Sequence, residues 1–166
     1  MGMMDDIKAN VKDWSSETEV KEYLRKILRK EAYDRTGLIY GQGHAVYTIS
    51  DPRAILVRDK AKALAMVKGC LEEYELYCLI EKLAPVVFAE EKGSDKKICS
   101  NVDFFTGFVY TMLDIPRELY TPIFAISRIA GWSAHRMEEL VSGGRIYRPA
   151  YKNILPMREY IPMEKR

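Results

Sequence analysis

Few residues in this chain have the type and spacing to do chemistry. Gly41-Gln-Gly-His44 stands ahead of Asp51-Pro-Arg53. Glycines beside a histidine let backbone amides approach a ligand closely, and the imidazole can donate to a carbonyl oxygen. Arg53 falls in the first turn of the helix that Asp51-Pro52 opens, near the positive end of its dipole, a suitable place to hold a carboxylate. The alternative is a structural glycine turn with a surface histidine. Asn101-Val-Asp103 opens another helix. Asp103 is then a helix-starting carboxylate, or a general base if the fold brings it near His44 and away from water. Arg128 lies in the most apolar stretch, where a buried guanidinium would need a paired anion. His135 and Arg148, taken alone, read as packing or surface residues.

Other chemistries lack their signatures. No phosphate-binding glycine loop, dinucleotide fingerprint, nucleophile elbow or paired Cys/His spacing is present, so neither a metal nor a cofactor is expected. Arginines, a histidine and an acid without a metal suit reactions of carboxylate substrates. Lys and Arg number 26 against 24 Asp and Glu, a net charge of +2. That balance gives no footprint for nucleic acid or a membrane surface. Cys70, Cys78 and Cys99 are odd in number and unpaired in spacing, which fits reduced thiols in the cytoplasm.

These groups need helices to position them. Ser16 with Glu19 makes a capping box, followed by Val20, Tyr23, Leu24, Ile27 and Leu28 along one helical face. Asp51-Pro52 starts a helix running to about Lys68, which Gly69 ends. Leu71 to about Glu91 forms the next, with Pro85 a kink rather than a stop. A lysine-bearing loop from Gly93 to Ser100 leads to a helix from Asn101 to Leu113. An apolar helical stretch from Tyr120 to Val141 ends at Gly143-Gly144, and a tail rich in Pro, Tyr and Arg follows. No alternating strand pattern appears, so the expected fold is all-α. The stretch from Pro122 to Ala134 is apolar nearly all round, as in a helix buried on every side. So few helices cannot bury it, which marks the chain as part of something larger.

On Gly41-Gln-Gly-His-Ala-Val-Tyr with Asp51-Pro-Arg, Asn101-Val-Asp-Phe-Phe-Thr-Gly, Phe124-Ala-Ile-Ser-Arg-Ile-Ala-Gly-Trp, Ala134-His-Arg and Gly143-Gly-Arg-Ile-Tyr-Arg-Pro, the sequence resembles the citrate synthase family over nearly its whole length. The resemblance implies condensation of acetyl-CoA with oxaloacetate to citrate and CoA. It implies catalytic roles for Asp103, which removes the methyl proton, and His44, which polarises the ketone. Arg53, Arg128 and Arg148 would hold carboxylates, Arg148 reaching into the partner subunit's site of a homodimer, and Phe124 would pack beside the bound acid. Gly41, Gly43, Lys96 and Lys97 would contact CoA. Residues 1–110 would form the small, mobile domain and 111–166 the C-terminal segment of the large domain.

Two departures bear on activity. The family's other catalytic histidine would lie ahead of Met1, and His135 does not match its motif, so the chain alone is expected to be inactive. Thr48 stands where many relatives carry a basic residue on CoA phosphate. The same motifs fit a 2-methylcitrate synthase, which uses propionyl-CoA, and a non-catalytic binding module is the reading from a different class.

Overall fold

The computed structural model describes residues 1–93, 97–143, 159 and 161–165. The described residues are helical, and the only strand-like pairing among them is an isolated antiparallel bridge between Gln42 and Ser100. Seven α-helices follow in order: α1 (Gly2–Asn10), α2 (Glu17–Leu28), α3 (Pro52–Lys68), α4 (Leu71–Lys92), α5 (Val102–Met112), α6 (Tyr120–Ile126) and α7 (Ile129–Ser142). The all-α expectation holds. The chain divides into two compact units, Met1–Ile123 and Phe124–Arg166, so the first unit extends beyond residue 110.

Local chemistry explains five of the ten ends of α1–α5. Ser16 accepts the amide of Glu19, Asp51 that of Arg53 with Pro52 at the first helical position, and Asn101 that of Asp103. Gly69 and Gly93 close α3 and α4 in the left-handed conformation. Pro85 lies inside α4, which continues past it. The capping box is only half made. Glu19 turns away from Ser16 and accepts the amides of Lys12 and Asp13, which ties down the turn after α1. Helix α1 itself has no sequence signal, since Met1 offers no capping side chain. Burial of Met3, Met4 and Ile7 holds it in place.

In the first unit α3 packs on α5 and α4, α2 on α4, and α1 on α2. Ala54, Ala61 and Ala65 form the buried stripe of α3; with only methyl groups there, its backbone can approach its neighbours closely. Beside it Tyr77, Phe104, Phe105 and Phe108 make an aromatic cluster with ring centroids 5.0–6.3 Å apart. Each buried ring contributes about 1.5–3 kcal/mol through area alone. Outside, Lys21 and Arg25 of α2 and Arg29 just past its end reach Glu90 and Glu91 of α4.

The second unit departs from expectation. The apolar stretch is two helices, broken at Ser127 and Arg128. The Ser127 hydroxyl donates to the carbonyl of Phe124 at 2.7 Å, a local bond that competes with helix continuation. No residue of α6 or α7 is buried; Ile126, Ile129, Trp132, Met137, Leu140 and Val141 are all exposed. A sequence patterned for complete burial thus shows its apolar surface to solvent in this chain.

Candidate functional site

The site grows from the loop between α2 and α3. Gly41 takes φ +82° and Gly43 φ +89°, values that side-chain-bearing residues rarely adopt. Their reasons differ. A Cβ on Gly41 would lie 2.7 Å from Cδ2 of Phe104, so the close approach of the loop to α5 requires glycine here, and Gly41 also lines the pocket beside Asp103. Gly43 faces open space, and its amide donates to the carbonyl of Cys99 at 2.7 Å.

The loop is hung on the residues that open α5. Asn101 donates its backbone amide to Gly41 at 2.9 Å and its side-chain amide to the Gly43 carbonyl at 3.0 Å, and accepts the Asp103 amide at 3.1 Å. Gln42 adds a bond to the Ser100 hydroxyl at 2.8 Å. These contacts bring the histidine loop and the start of α5, far apart in sequence, to one edge of the first unit.

His44 is half-buried. Its Nδ1 accepts the amides of Val46 and Tyr47 at 3.0 and 3.1 Å. A backbone amide only donates, so Nδ1 carries no proton, and a neutral ring is protonated on Nε2. Nη2 of Arg53 stands 3.3 Å from that Nε2. Imidazole and guanidinium thus lie side by side at this edge, where an entering carbonyl oxygen would meet both. Tyr47, which the sequence did not single out, packs 4.8 Å from the imidazole and lies beneath the Arg53 guanidinium at 5.7 Å.

Arg53 is fixed from behind. Asp51, buried to 1% exposure, accepts its Nε at 2.9 Å and its Nη2 at 2.8 Å, and takes the Val102 amide at 3.1 Å with its second oxygen. The Arg53 hydrogen bonds hold the Asp51 carboxyl below the usual carboxylate range; the same pairing pushes the guanidinium further up, with Asp103 adding to the field. Nη1 of Arg53 has no partner among the described residues, which leaves one edge of the fork for a ligand. Sequence reading gave Asp51 only its capping role.

Asp103 is exposed in the first turn of α5. It lines a pocket of about 340 Å³ whose other walls include Met3, Met4, Tyr40, Tyr77 and Phe104. An acid beside an apolar pocket, within the field of the Arg53 guanidinium that flanks His44, suits proton removal from an acyl chain next to a carbonyl acceptor. Lys97 is exposed in the loop before α5, and Thr48 is exposed in the histidine loop.

In the second unit Arg128 caps α7 at the helix break. It is neither inside a helix nor buried. Its guanidinium lies over the Phe124 ring at 4.3 Å and donates to the Ser127 hydroxyl. His135 is a solvent-exposed residue of α7, 3.5 Å from Glu138. Lys96 and Arg148 lie outside the described residues. Among the described residues no cluster of His, Cys, Asp or Glu could hold a metal, and no helix is long and apolar enough to cross a membrane.

Comparison with known proteins agrees with these motifs. The family described as citrate synthase, C-terminal domain, matches residues 1–150. The citrate synthase of Synechocystis sp. is 39% identical over 99% of this chain and 39% of its own length. The 2-methylcitrate synthase of Shewanella oneidensis is 35% identical over 94% of this chain and 38% of its own. Among solved structures, the ternary complex of carboxymethyl coenzyme A and oxaloacetate with citrate synthase from Thermoplasma acidophilum superposes with a TM-score of 0.63 at 28% identity. It covers 99% of this chain and 42% of that one. The chain thus spans about two-fifths of the length of these relatives. Through the match over residues 1–150, it belongs to the citrate synthase family as that family's C-terminal domain.

Proposed function

We propose that this chain supplies the ketone-polarising and proton-removing half of an enzyme that condenses acetyl-CoA with oxaloacetate. The observation that carries the reading is the bonding of the His44 loop onto the start of α5, which gathers His44, Arg53 and Asp103 at one edge. Nε2–H of His44 donates to the oxaloacetate ketone and stabilises the alkoxide that forms there. One fixed donor of this kind is worth about a hundred- to a thousandfold in rate. Arg53 holds a carboxylate through its open edge. Asp103 takes a proton from the carbon next to the thioester carbonyl, and the apolar pocket beside it accepts the acyl chain. Arg128, stacked on Phe124, and Arg148 hold the remaining carboxylates.

The family's other catalytic histidine belongs to the remaining three-fifths of the enzyme, so the 166 residues alone catalyse no condensation. Joined to that remainder the protein is a cytoplasmic homodimer. The thiols of Cys70, Cys78 and Cys99, none of them in a disulfide, support a reducing compartment.

The test is a graft in which residues 1–166 replace the C-terminal two-fifths of the Synechocystis enzyme. CoA thiol release from acetyl-CoA and oxaloacetate is then followed. Release is expected, with His44→Ala and Asp103→Ala each reducing it at least about a hundredfold. An Asp103→Ala graft as fast as the parent graft would overturn the assignment of the base. Identity to the Shewanella protein favours a second reading, propionyl-CoA as the acyl donor. A higher kcat/KM with propionyl-CoA in the same assay would select it.

A further inference from the structure

Asp51 is the one buried charged residue among those described, and the chemistry proposed above leaves it without a task. Capping α3 needs a single hydrogen bond. Its carboxylate accepts four: the Arg53 amide and Nε on one oxygen, and Arg53 Nη2 and the Val102 amide on the other. The last two kinds of bond have nothing to do with starting α3. One locks the plane of a guanidinium whose side chain is otherwise 43% exposed. The other reaches across to the first residue of α5, immediately before Asp103. A buried carboxylate with every donor in place fixes its partners in orientation as well as in distance.

We propose that Asp51 is the positioning residue of the condensation. It sets the Arg53 fork beside Nε2 of His44 and, through Val102, registers the turn that carries Asp103 against both. The proposal rests on the function given above. Without Asp51, Arg53 is a long cation free to turn into solvent, and the start of α5 is tied to the histidine loop by Cys99, Ser100 and Asn101 but no longer to the residues that open α3. With Asp51, substrate clamp and base share one rigid anchor, and a displacement of either helix is felt by the other.

Asp51→Ser separates capping from positioning. Serine keeps a short oxygen for the Arg53 amide but reaches neither the guanidinium nor Val102. In the 166-residue chain, NMR should show exchange with solvent at Arg53 Nε–H and the Val102 amide accelerated at least tenfold. The amides of α3 beyond its first turn should keep their protection. Unchanged protection at Arg53 and Val102 would overturn the proposal. Arg53→Lys gives an independent reading should Asp51→Ser not fold: Val102 should stay protected, and its loss would mean that Arg53, not Asp51, holds α5.

In the grafted enzyme Asp51→Ser should raise the oxaloacetate KM at least tenfold and move the acetyl-CoA KM less than twofold. In an Arg53→Lys background it should raise the oxaloacetate KM less than twofold further. Effects that multiply independently would assign Asp51 a purely structural role. An inactive parent graft would count against the functional reading, and the exchange measurements would still decide whether Asp51 fixes the two helices.

Discussion

Replacing Gly41 and Gly43 by alanine, one at a time, separates two physical demands that a single loop places on neighbouring glycines. Both positions hold a positive φ, +82° and +89°. For a residue with a Cβ this costs about 1–2 kcal/mol. At Gly43 that is the whole effect, because no atom lies within 4 Å of the added methyl. At Gly41 the methyl would meet Phe104 at Cδ2 (2.7 Å), Cβ (2.9 Å) and Cα (3.1 Å). The Cα is backbone of α5 and cannot swing aside, so overpacking adds about 1–3 kcal/mol. Gly41→Ala should therefore destabilise by about 2–5 kcal/mol and Gly43→Ala by about 1–2 kcal/mol. With a urea slope of about 2 kcal/mol per molar, the midpoints fall by about 1–2.5 M and about 0.5–1 M respectively. Urea melts followed by circular dichroism at equal slope read the difference directly. Equal midpoints for the two variants, or a larger loss at Gly43, would refute the argument that loop and helix touch at Gly41.

Phe108, fully buried against Tyr77 and Tyr74, should cost about 3–5 kcal/mol when cut to alanine, and a loss below 1 kcal/mol in the same melts would mean the aromatic cluster is not formed. Asp51 titrates below its ordinary value of 3.8 because Arg53 bonds it, so its contribution is complete above that value and fades as pH falls through the lower, folded one. The stability gap between the parent chain and Asp51→Asn should thus be flat near neutrality and close in acid; a gap unchanged down to about pH 2 would contradict the pairing. Glu91→Gln, which removes the partner of Arg29 on the exposed face between α2 and α4, should lower the thermal midpoint only slightly, and the shift should shrink in 1 M salt. A larger, salt-independent loss, measured by thermal melts, would show that this pair is not the solvated bridge its exposure suggests.

How far the sequence could be read depended on whether the deciding contact was local. Ser16, Asp51 with Pro52, Gly69 and Asn101 mark helix ends by chemistry within a few residues, and α2, α3 and α5 begin or end at those marks. Helix α1 escaped notice because its stability comes from burying Met3, Met4 and Ile7, which no neighbour in sequence announces. The break at Ser127 escaped because an unbroken apolar pattern outweighs one serine in any periodicity argument, whereas in the structure the helix parts at Ser127 and Arg128, beside the bond from the Ser127 hydroxyl to Phe124. The site divides the same way. His44, Arg53 and Asp103 were visible by type and by family motif. The groups that hold them were not: the partners of Asp51 lie at Arg53 and, fifty-one positions on, at Val102, and Tyr47 reads as one more aromatic until its ring is seen beside both His44 and Arg53.

Asn101 carries a consequence for inheritance. Its side chain must donate to Gly43 and accept from Asp103 while its backbone amide serves Gly41. Aspartate loses the donor, serine the reach, and glutamine the short span of the cap. A change at 101 therefore loosens the stretch from 41 to 43 or uncaps α5, so one side chain couples two segments that are distant in the gene.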